Sequence, residues 1–502
     1  MPSKNKLYLA KKLNFFISKA PTLVITLYFS QNFKNTVMSN NRFSGFSRAF
    51  WTANIVELLE RGAYYGVFIA LTLYLSRILA FSDVEAATIA GLFSAGLYFL
   101  PTFSGAYADK IGFKNALLLA FSLLTLGYLG MGIFPGILEG AGLVDYGDDI
   151  IFHGLRIGSQ KFYIIPILAL IIIGGSFIKS VITGTVAKET TEANRAKGFS
   201  IFYMMVNIGA FSGKTLVKPL RNSMGDLGFI NLNYFSAGMT FLALLMIVFF
   251  YKTSKHTGEG KSIKEIWNGL IKVVTNGRLI TLIIIISGFW MVQHQLYATM
   301  PKYVLRMAGE SASPSWYANV NPLVVVLTVT WVTRIMASKT PLFSMTIGMF
   351  IMPVSALVMA MGNWFHDMSE IDLGIMSMHP IAFMMVLGIV LQALAESFIS
   401  PRFLEFFSLQ APKGEEGLYL GFSHLHSFIS SVLGFGLSGY LLSKYCPDPR
   451  LYDSHEAWEA ASVHAHYIWY YFVGIALVSA FSLIIYGMVI KKLDAAKAKP
   501  VT

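Results

Sequence analysis

Glu57-Leu58-Leu59-Glu60-Arg61 is followed at once by Gly62-Ala63-Tyr64-Tyr65-Gly66. Glu57, Glu60, Arg61 and Tyr64 stand three and four residues apart, so a helix would place them on one face. The flanking residues are apolar over a membrane-spanning length. Two more charges have similar surroundings: Lys179 in an isoleucine-rich stretch, and Glu396 deep in another. An ionised side chain at mid-bilayer costs roughly 2.5–3.5 kcal/mol on insertion scales, and residues that bear this cost face a water-filled cavity or one another. Carboxylates beside a guanidinium, with a buried lysine and a distant glutamate, are the groups of a proton or ion relay. They point to a polytopic carrier.

The elements that would hold these residues follow from composition and hydropathy. Of 502 residues, 55% are hydrophobic and 13% charged, about half the ~25% charged share of a soluble domain. Forty Phe and 43 Gly suit a membrane bundle, where small residues let helices approach. The single cysteine, Cys446, excludes an internal disulfide framework and a Cys-rich metal site. The net charge of +12 lies mostly in short loops, which argues against nucleic acid as a partner.

Apolar stretches of about 20 residues recur at 50–76, 86–108, 113–135, 162–186, 196–219, 229–251, 279–305, 315–337, 341–362, 379–404, 416–443 and 466–490. The widest break, Lys252–Gly277, is polar and lysine-containing. The expectation is an all-α membrane protein of twelve transmembrane helices in two six-helix bundles, the pattern of the major facilitator fold. Residues 1–49 would be a basic extension, 50–251 the first bundle, 252–277 a cytoplasmic linker, 278–490 the second bundle and 491–502 a tail.

Alternate loops carry Lys110 and Lys114, then Lys188, Arg195 and Lys197, then Lys252 to Arg278, while the opposite loops hold Asp145, Asp367 and Asp448 among other acids. This bias predicts both termini in the cytoplasm and a plasma (inner) membrane location. The first 48 residues hold eight Lys or Arg and no acid. Thr22–Ser30 is too short to span a membrane, and no small-residue cleavage site follows it. The expected initiator is Met38.

The first charged motif resembles that of the proton-coupled oligopeptide transporter family, Glu-x-x-Glu-Arg followed by Tyr-Tyr-Gly. The resemblance continues along most of the membrane region. Tyr98 matches a cavity tyrosine, and Gly174-Gly175-Ser176-Phe177-Ile178-Lys179 is similar to a family segment ending in lysine. Phe202-Tyr203 with Asn207 and Gly209, Asn321-Pro322, Glu396-Ser397-Phe398-Ile399-Ser400-Pro401 and Gly417-Leu418-Tyr419-Leu420-Gly421 match further signatures. Gly105, Asp109, Lys110 and Gly112 match the superfamily loop motif, in which Asp109 would accept from a helix N-terminus across the bundle.

The resemblance implies alternating-access symport of protons with di- or tripeptides. Glu57, Glu60, Lys179 and Glu396 would couple protons, with Lys179 paired to a carboxylate when the site is empty. Arg61, Tyr64, Tyr65, Tyr98, Lys179, Asn207, His294, Asn321 and Glu396 would line the substrate site. Three departures alter it: Phe68 stands where many members carry arginine, Gln293-His294-Gln295 lacks the usual glutamate, and Ser423-His424 replaces a Trp-Phe pair. His294 could carry protons, its ordinary pKa being near neutrality, or serve as a wall residue. Two other readings remain: a carrier of the same fold for an amino acid or organic anion, and a non-transporting membrane sensor.

The expected partners are protons, a short peptide and the lipid bilayer, on a monomer. No phosphate-binding glycine loop with a lysine is present, so the proton gradient rather than ATP would drive transport, with no cofactor. His424 and His426 are two apart, on different helix faces, and neither they nor His464 and His466 have zinc spacing. Transport breaks no covalent bond, so enzymatic chemistry is not expected.

Overall fold

The computed structural model describes residues 45–146, 157–191, 194–252, 262–365, 370–372, 377–410 and 422–497, and nearly all of them are helical. Met38 and Gly417–Gly421 lie outside the described residues. The first helix shows how the sequence builds these elements. Apolar residues recur all round it, which suits a helix buried on every side. The Ser47 hydroxyl starts it by accepting from the Phe50 N–H at 3.1 Å. α1 (Arg48–Leu73) contains no proline and passes into a π-helical segment, Tyr74–Ile78.

The chain continues through α2 (Asp83–Phe99), α3 (Pro101–Ile111), α4 (Phe113–Gly140), α5 (Ile164–Lys188), α6 (Arg195–Met224) and α7 (Gly228–Phe250). The linker holds α8 (Ile263–Thr275). After it come α9 (Gly277–Gln293), α10 (Gln295–Ala298), α11 (Met300–Met307), α12 (Pro314–Tyr317), α13 (Val320–Met336) and α14 (Pro341–Met361). α15 (Pro380–Gln410), α16 (Leu425–Tyr445), α17 (His455–Ser462) and α18 (Tyr467–Lys497) complete the fold.

Two predicted apolar stretches, and the linker, differ in form. The one at 86–108 bends by 48° between α2 and α3. Pro101 has no N–H to give and its ring crowds the preceding turn, which leaves Tyr98 at the elbow. The one at 279–305 breaks at His294 and again ahead of Pro301. The polar linker folds locally because Ser262 and Glu265 form a reciprocal capping box.

By length and hydropathy, nine described helical stretches could cross a membrane, or ten if the bent α2–α3 pair is one span. The expected twelve is not reached by this measure. α1 carries Glu57, Glu60 and Arg61 in mid-helix, and α6 and α7 run on through a short 3-10 turn as one stretch, Lys197–Phe250. Helix nevertheless lies on every one of the predicted stretches.

Two groups of helices result. α1 packs on α6 and α7, α4 on α5 and α7, and α2 on α5. Further along the chain α14 packs on α15 and α18, α13 on α15, and α9 on α16 and α18. The groups meet where α2 lies along α16, where α10 and α11 reach α1, and where α12 reaches α6.

Glycine decides how closely α1 and α6 cross. A Cβ on Gly209 would lie 2.5 Å from the Leu58 carbonyl oxygen, and one on Gly213 would overlap the carbonyl oxygen of Gly62. In lipid, helix association depends on such close packing, because tails are as apolar as leucine. The α2–α16 contact is built alike. A Cβ on Gly91 would sit 2.8 Å from the Phe435 Cβ, and the Ser94 and Ser431 hydroxyls bond at 2.9 Å. The first crossing fixes the charged face of α1, since Gly62 directly follows Arg61.

Replacing Gly213 by valine should therefore cost about 1–3 kcal/mol or more through overpacking, read as a lower melting temperature in detergent. Gly238→Ala, where the added Cβ meets nothing within 4 Å, serves as the control. Equal melting of Gly213→Val and wild type would contradict the close crossing.

Candidate functional site

The charged face of α1 closes on itself. Arg61 Nε lies 3.2 Å from Glu57 Oε1 and 2.5 Å from Glu60 Oε2, and both carboxylates are 2% exposed. The spacing makes this possible: Glu57 is one turn back from Arg61 and Glu60 is adjacent. The second oxygen of Glu57 is buried with no donor among the described residues. The guanidinium also lies 5.3 Å from the centroid of the Tyr64 ring.

Lys179, on α5, is inward but not as expected. Among the described residues it forms no ion pair with a carboxylate. Its ammonium sits 4.8 Å from the Tyr98 ring, a cation–π arrangement, within electrostatic reach of Arg61, Glu57 and Glu60. Arg61 takes both carboxylates because it shares their helix and needs no second element to reach them.

Tyr98 stacks between α5 and α16. Its ring centroid is 6.2 Å from that of His294 and 6.5 Å from that of His424. His424 and His426 do not diverge as a helical spacing of two requires: their rings are 6.2 Å apart. The helix is interrupted at His424 and resumes at Leu425, so the face argument fails. His426 stacks on Trp290 at 5.2 Å, and His294 is 3.4 Å from the Ser430 hydroxyl. These rings occupy the side where Ser423-His424 stands in place of the Trp-Phe pair. Phe68 likewise joins an aromatic cluster, 5.2 Å from Tyr64 and 4.8 Å from Tyr297.

Glu396, on α15, accepts from Gln293 Nε2 at 2.9 Å and Asn321 Nδ2 at 3.3 Å. The fold thus joins three separate sequence motifs at one carboxylate. Tyr65 is within electrostatic reach of both this carboxylate and the α1 charges, and pairs with Tyr297 at 6.5 Å. Asn207 does not reach across: its amide donates to the Tyr203 carbonyl on its own helix at 2.8 Å. In the loop motif, Gly112 has φ +85°, where a side chain would be strained, and Gly105 faces Ser180. Lys110 is exposed, and Asp109 makes no hydrogen bond to a helix N-terminus among the described residues.

Two ion networks were not foreseen from sequence. Asp83 accepts from Lys302 Nζ and, bidentately, from Arg306, each at 2.8 Å; Arg306 continues to Asp448 at 3.3 Å, which Arg450 holds at 2.7 Å. Beside it, Arg77 pairs with Asp226 at 3.1 Å and Glu310 at 2.6 Å, and Arg221 joins Glu310 at 2.6 Å. Both link the two helical groups at the end of the molecule opposite Ser47 and Asp494. Arg77 and Arg306 each stand one residue beyond a predicted apolar stretch and read locally as loop charges. Lys214, also missed, did carry a signal: it is a lysine well inside the stretch 196–219.

Burial pushes the Glu310 carboxyl up, but Arg77 and Arg221 outweigh it and hold it below the ordinary range. Burial likewise opposes, and Arg306 and Arg450 override, at Asp448, which is held well below it. Carboxyls so depressed stay ionised as pH falls through about 4. Their stabilisation is present above that pH and lost only below it, so this latch does not titrate near neutrality.

An all-helical, multi-pass membrane protein with buried charges between two helical groups is the class that fold and site define. Residues 50–369 match the family model described as Major Facilitator Superfamily. The chain belongs to that superfamily. It is 23% identical to dipeptide and tripeptide permease A of Proteus mirabilis (strain HI4320), over 77% of this chain and 85% of the relative. It is 26% identical to dipeptide and tripeptide permease B of Shigella dysenteriae serotype 1, over 78% and 86%. Among solved structures, the POT family transporter PepTSo superposes with a TM-score of 0.65 at 17% identity, covering 89% of this chain and 99% of that one. A POT family transporter in complex with 5-aminolevulinic acid gives 0.64 at 18%, covering 90% and 97%. These relatives are of the family that the α1 motif resembles.

Asp83→Asn would leave Lys302 a buried cation without its carboxylate and Arg306 with Asp448 alone, a loss of about 3–5 kcal/mol when one partner of a buried pair is removed. Spin labels at exposed Val84 and Leu451 should then report a wider, more open distance distribution. An unchanged distribution would show that the network does not hold this end closed.

Proposed function

We propose that this protein is a proton-coupled symporter of di- and tripeptides or peptide-like molecules, working by alternating access. The observation that carries the reading is the pair of buried charge centres on opposite helical groups. One is the Glu57–Glu60–Arg61 set on α1 and the other is Glu396 on α15. The relatives named as dipeptide and tripeptide permeases support the substrate class.

With the termini in the cytoplasm of an inner-membrane protein, the latched end would face outward, which suits a state closed to the outside. Arg61 is then occupied by two carboxylates. Protonation of one, with the unpartnered Glu57 oxygen as a proton-holding position, frees the guanidinium for the substrate's carboxylate. Lys179, poised over Tyr98, lends a second positive charge. Glu396 exchanges its amide donors Gln293 and Asn321 for the substrate's ammonium. A zwitterion held at both ends ties the groups together, and ligand and proton shift the equilibrium by their differential affinity for the two states. This assigns to Arg61 the carboxylate pairing that the resemblance implied for Lys179.

Glu60→Gln in liposomes should abolish peptide accumulation driven by an imposed proton gradient, with counterflow exchange partly retained. Accumulation at the wild-type level would remove Glu60 from coupling.

At the other centre, Glu396→Gln should weaken free dipeptides about tenfold or more and N-acetylated dipeptides much less, because the latter offer no ammonium. Competition assays on both proteins read the difference, and equal losses would place the amine elsewhere. No binding of either peptide to wild type would favour a non-peptide carrier.

A further inference from the structure

Lys214 has no part in the cycle above, yet it is the most deeply buried lysine beside the site. It is 1% exposed on α6, directly after the glycine that touches Gly62. Its ammonium donates to the Ala318 carbonyl at 3.3 Å, its one hydrogen bond among the described residues, though an ammonium has three protons to donate. The Tyr65 ring centroid lies 5.5 Å away. No carboxylate lies within ion-pair distance of it among the described residues. Ala318 precedes Asn321 by three residues, about one helical turn or roughly 5 Å, and Asn321 donates to Glu396. Lys214 and Glu396 accordingly feel each other's charge.

A single carbonyl bond needs no cation. Burying an unpaired ammonium costs several kcal/mol, which a neutral amide at the same place would avoid. A buried lysine with a single carbonyl partner and no carboxylate in contact is thus placed to receive an anion that arrives from outside.

The balance of the site says which. Counted at formal charge, Glu57, Glu60 and Arg61 sum to one negative charge, and Lys179, Lys214 and Glu396 to one positive. Protonation of a carboxylate on α1 leaves the site with one net positive charge, which a zwitterionic peptide does not cancel and a peptide of net charge −1 does.

We propose that Lys214 is a second anion anchor that fits this site to peptides bearing an acidic side chain or an equivalent anionic group. The inference rests on the peptide-symporter reading and adds a substrate class to it. Arg61 and Lys179 would hold the main-chain carboxylate, Glu396 the ammonium and Lys214 the additional anion.

The test is binding of Ala-Ala, Ala-Asp and Ala-Lys to purified wild type, Lys214→Gln and Lys214→Arg by titration calorimetry at constant salt. Wild type should bind Ala-Asp about tenfold more tightly than Ala-Ala, with Ala-Lys weakest. Lys214→Gln should bring Ala-Asp and Ala-Ala together with little change for Ala-Ala, and Lys214→Arg should keep the preference. Equal losses for Ala-Ala and Ala-Asp in Lys214→Gln would make Lys214 a structural link to Ala318 and overturn the proposal. If Lys214→Gln does not purify as a folded protein, the wild-type ratio decides, and no preference for Ala-Asp overturns it. Failure of all three peptides to bind wild type would instead sink the peptide reading itself, and this proposal with it.

Discussion

A charge removed from water among packed helices must meet a partner or it costs several kcal/mol, and that constraint organises this molecule. Each buried centre answers it differently. On α1 a single guanidinium satisfies two carboxylates from the same helix. At Glu396 neutral amides from α9 and α13 do so, leaving the charge itself available. At the latched end, acids from one helical group meet bases from the other. In the proposed cycle the first two arrangements would exchange partners when a proton or a zwitterion arrives. The third gains its energy only while the two groups touch.

Close helix packing makes those electrostatics mechanical. Glycines at the α1–α6 crossing bring the backbones into contact, which packs α1 tightly against α6. Glycines and serines along the α2–α16 contact join the two groups without large interlocking side chains. Such an interface suits sliding or rocking of one group on the other, as packed surfaces favour discrete arrangements over continuous deformation. The breaks at Pro101 and His294 fall beside the site, where Tyr98 and His294 stack on each other. Irregular backbone at that depth is tolerated where neighbouring protein covers it.

The aromatic surroundings show how departures from a family pattern are absorbed. Phe68 removes a cation and gains contacts with Tyr64 and Tyr297. Ser423 and His424 remove two large rings, and His424, His426, Tyr98 and Trp290 fill the same side. These rings make that side of the site aromatic and titratable.

The sequence by itself determined what depends on local chemistry. Apolar runs of bilayer length placed the helices, because a backbone in lipid must satisfy its own hydrogen bonds. Spacing along α1 placed Glu57, Glu60 and Arg61 on one face, although the carboxylate pairing expected was with Lys179. Lys179 and Glu396 were recognisable because charge is rare at that depth, and Lys214 was recognisable on the same ground. Only the tertiary structure decided which partner each charge found. Lys179 lies over Tyr98 instead of on a carboxylate, Asn207 turns back to its own helix, and His424 meets His426 because the helix breaks between them. The pairing of Asp83 with Arg306, and of Arg77 with Glu310, joins residues more than two hundred positions apart. Hydropathy and periodicity describe one segment at a time, whereas the partner of a buried charge is set by how separate segments dock.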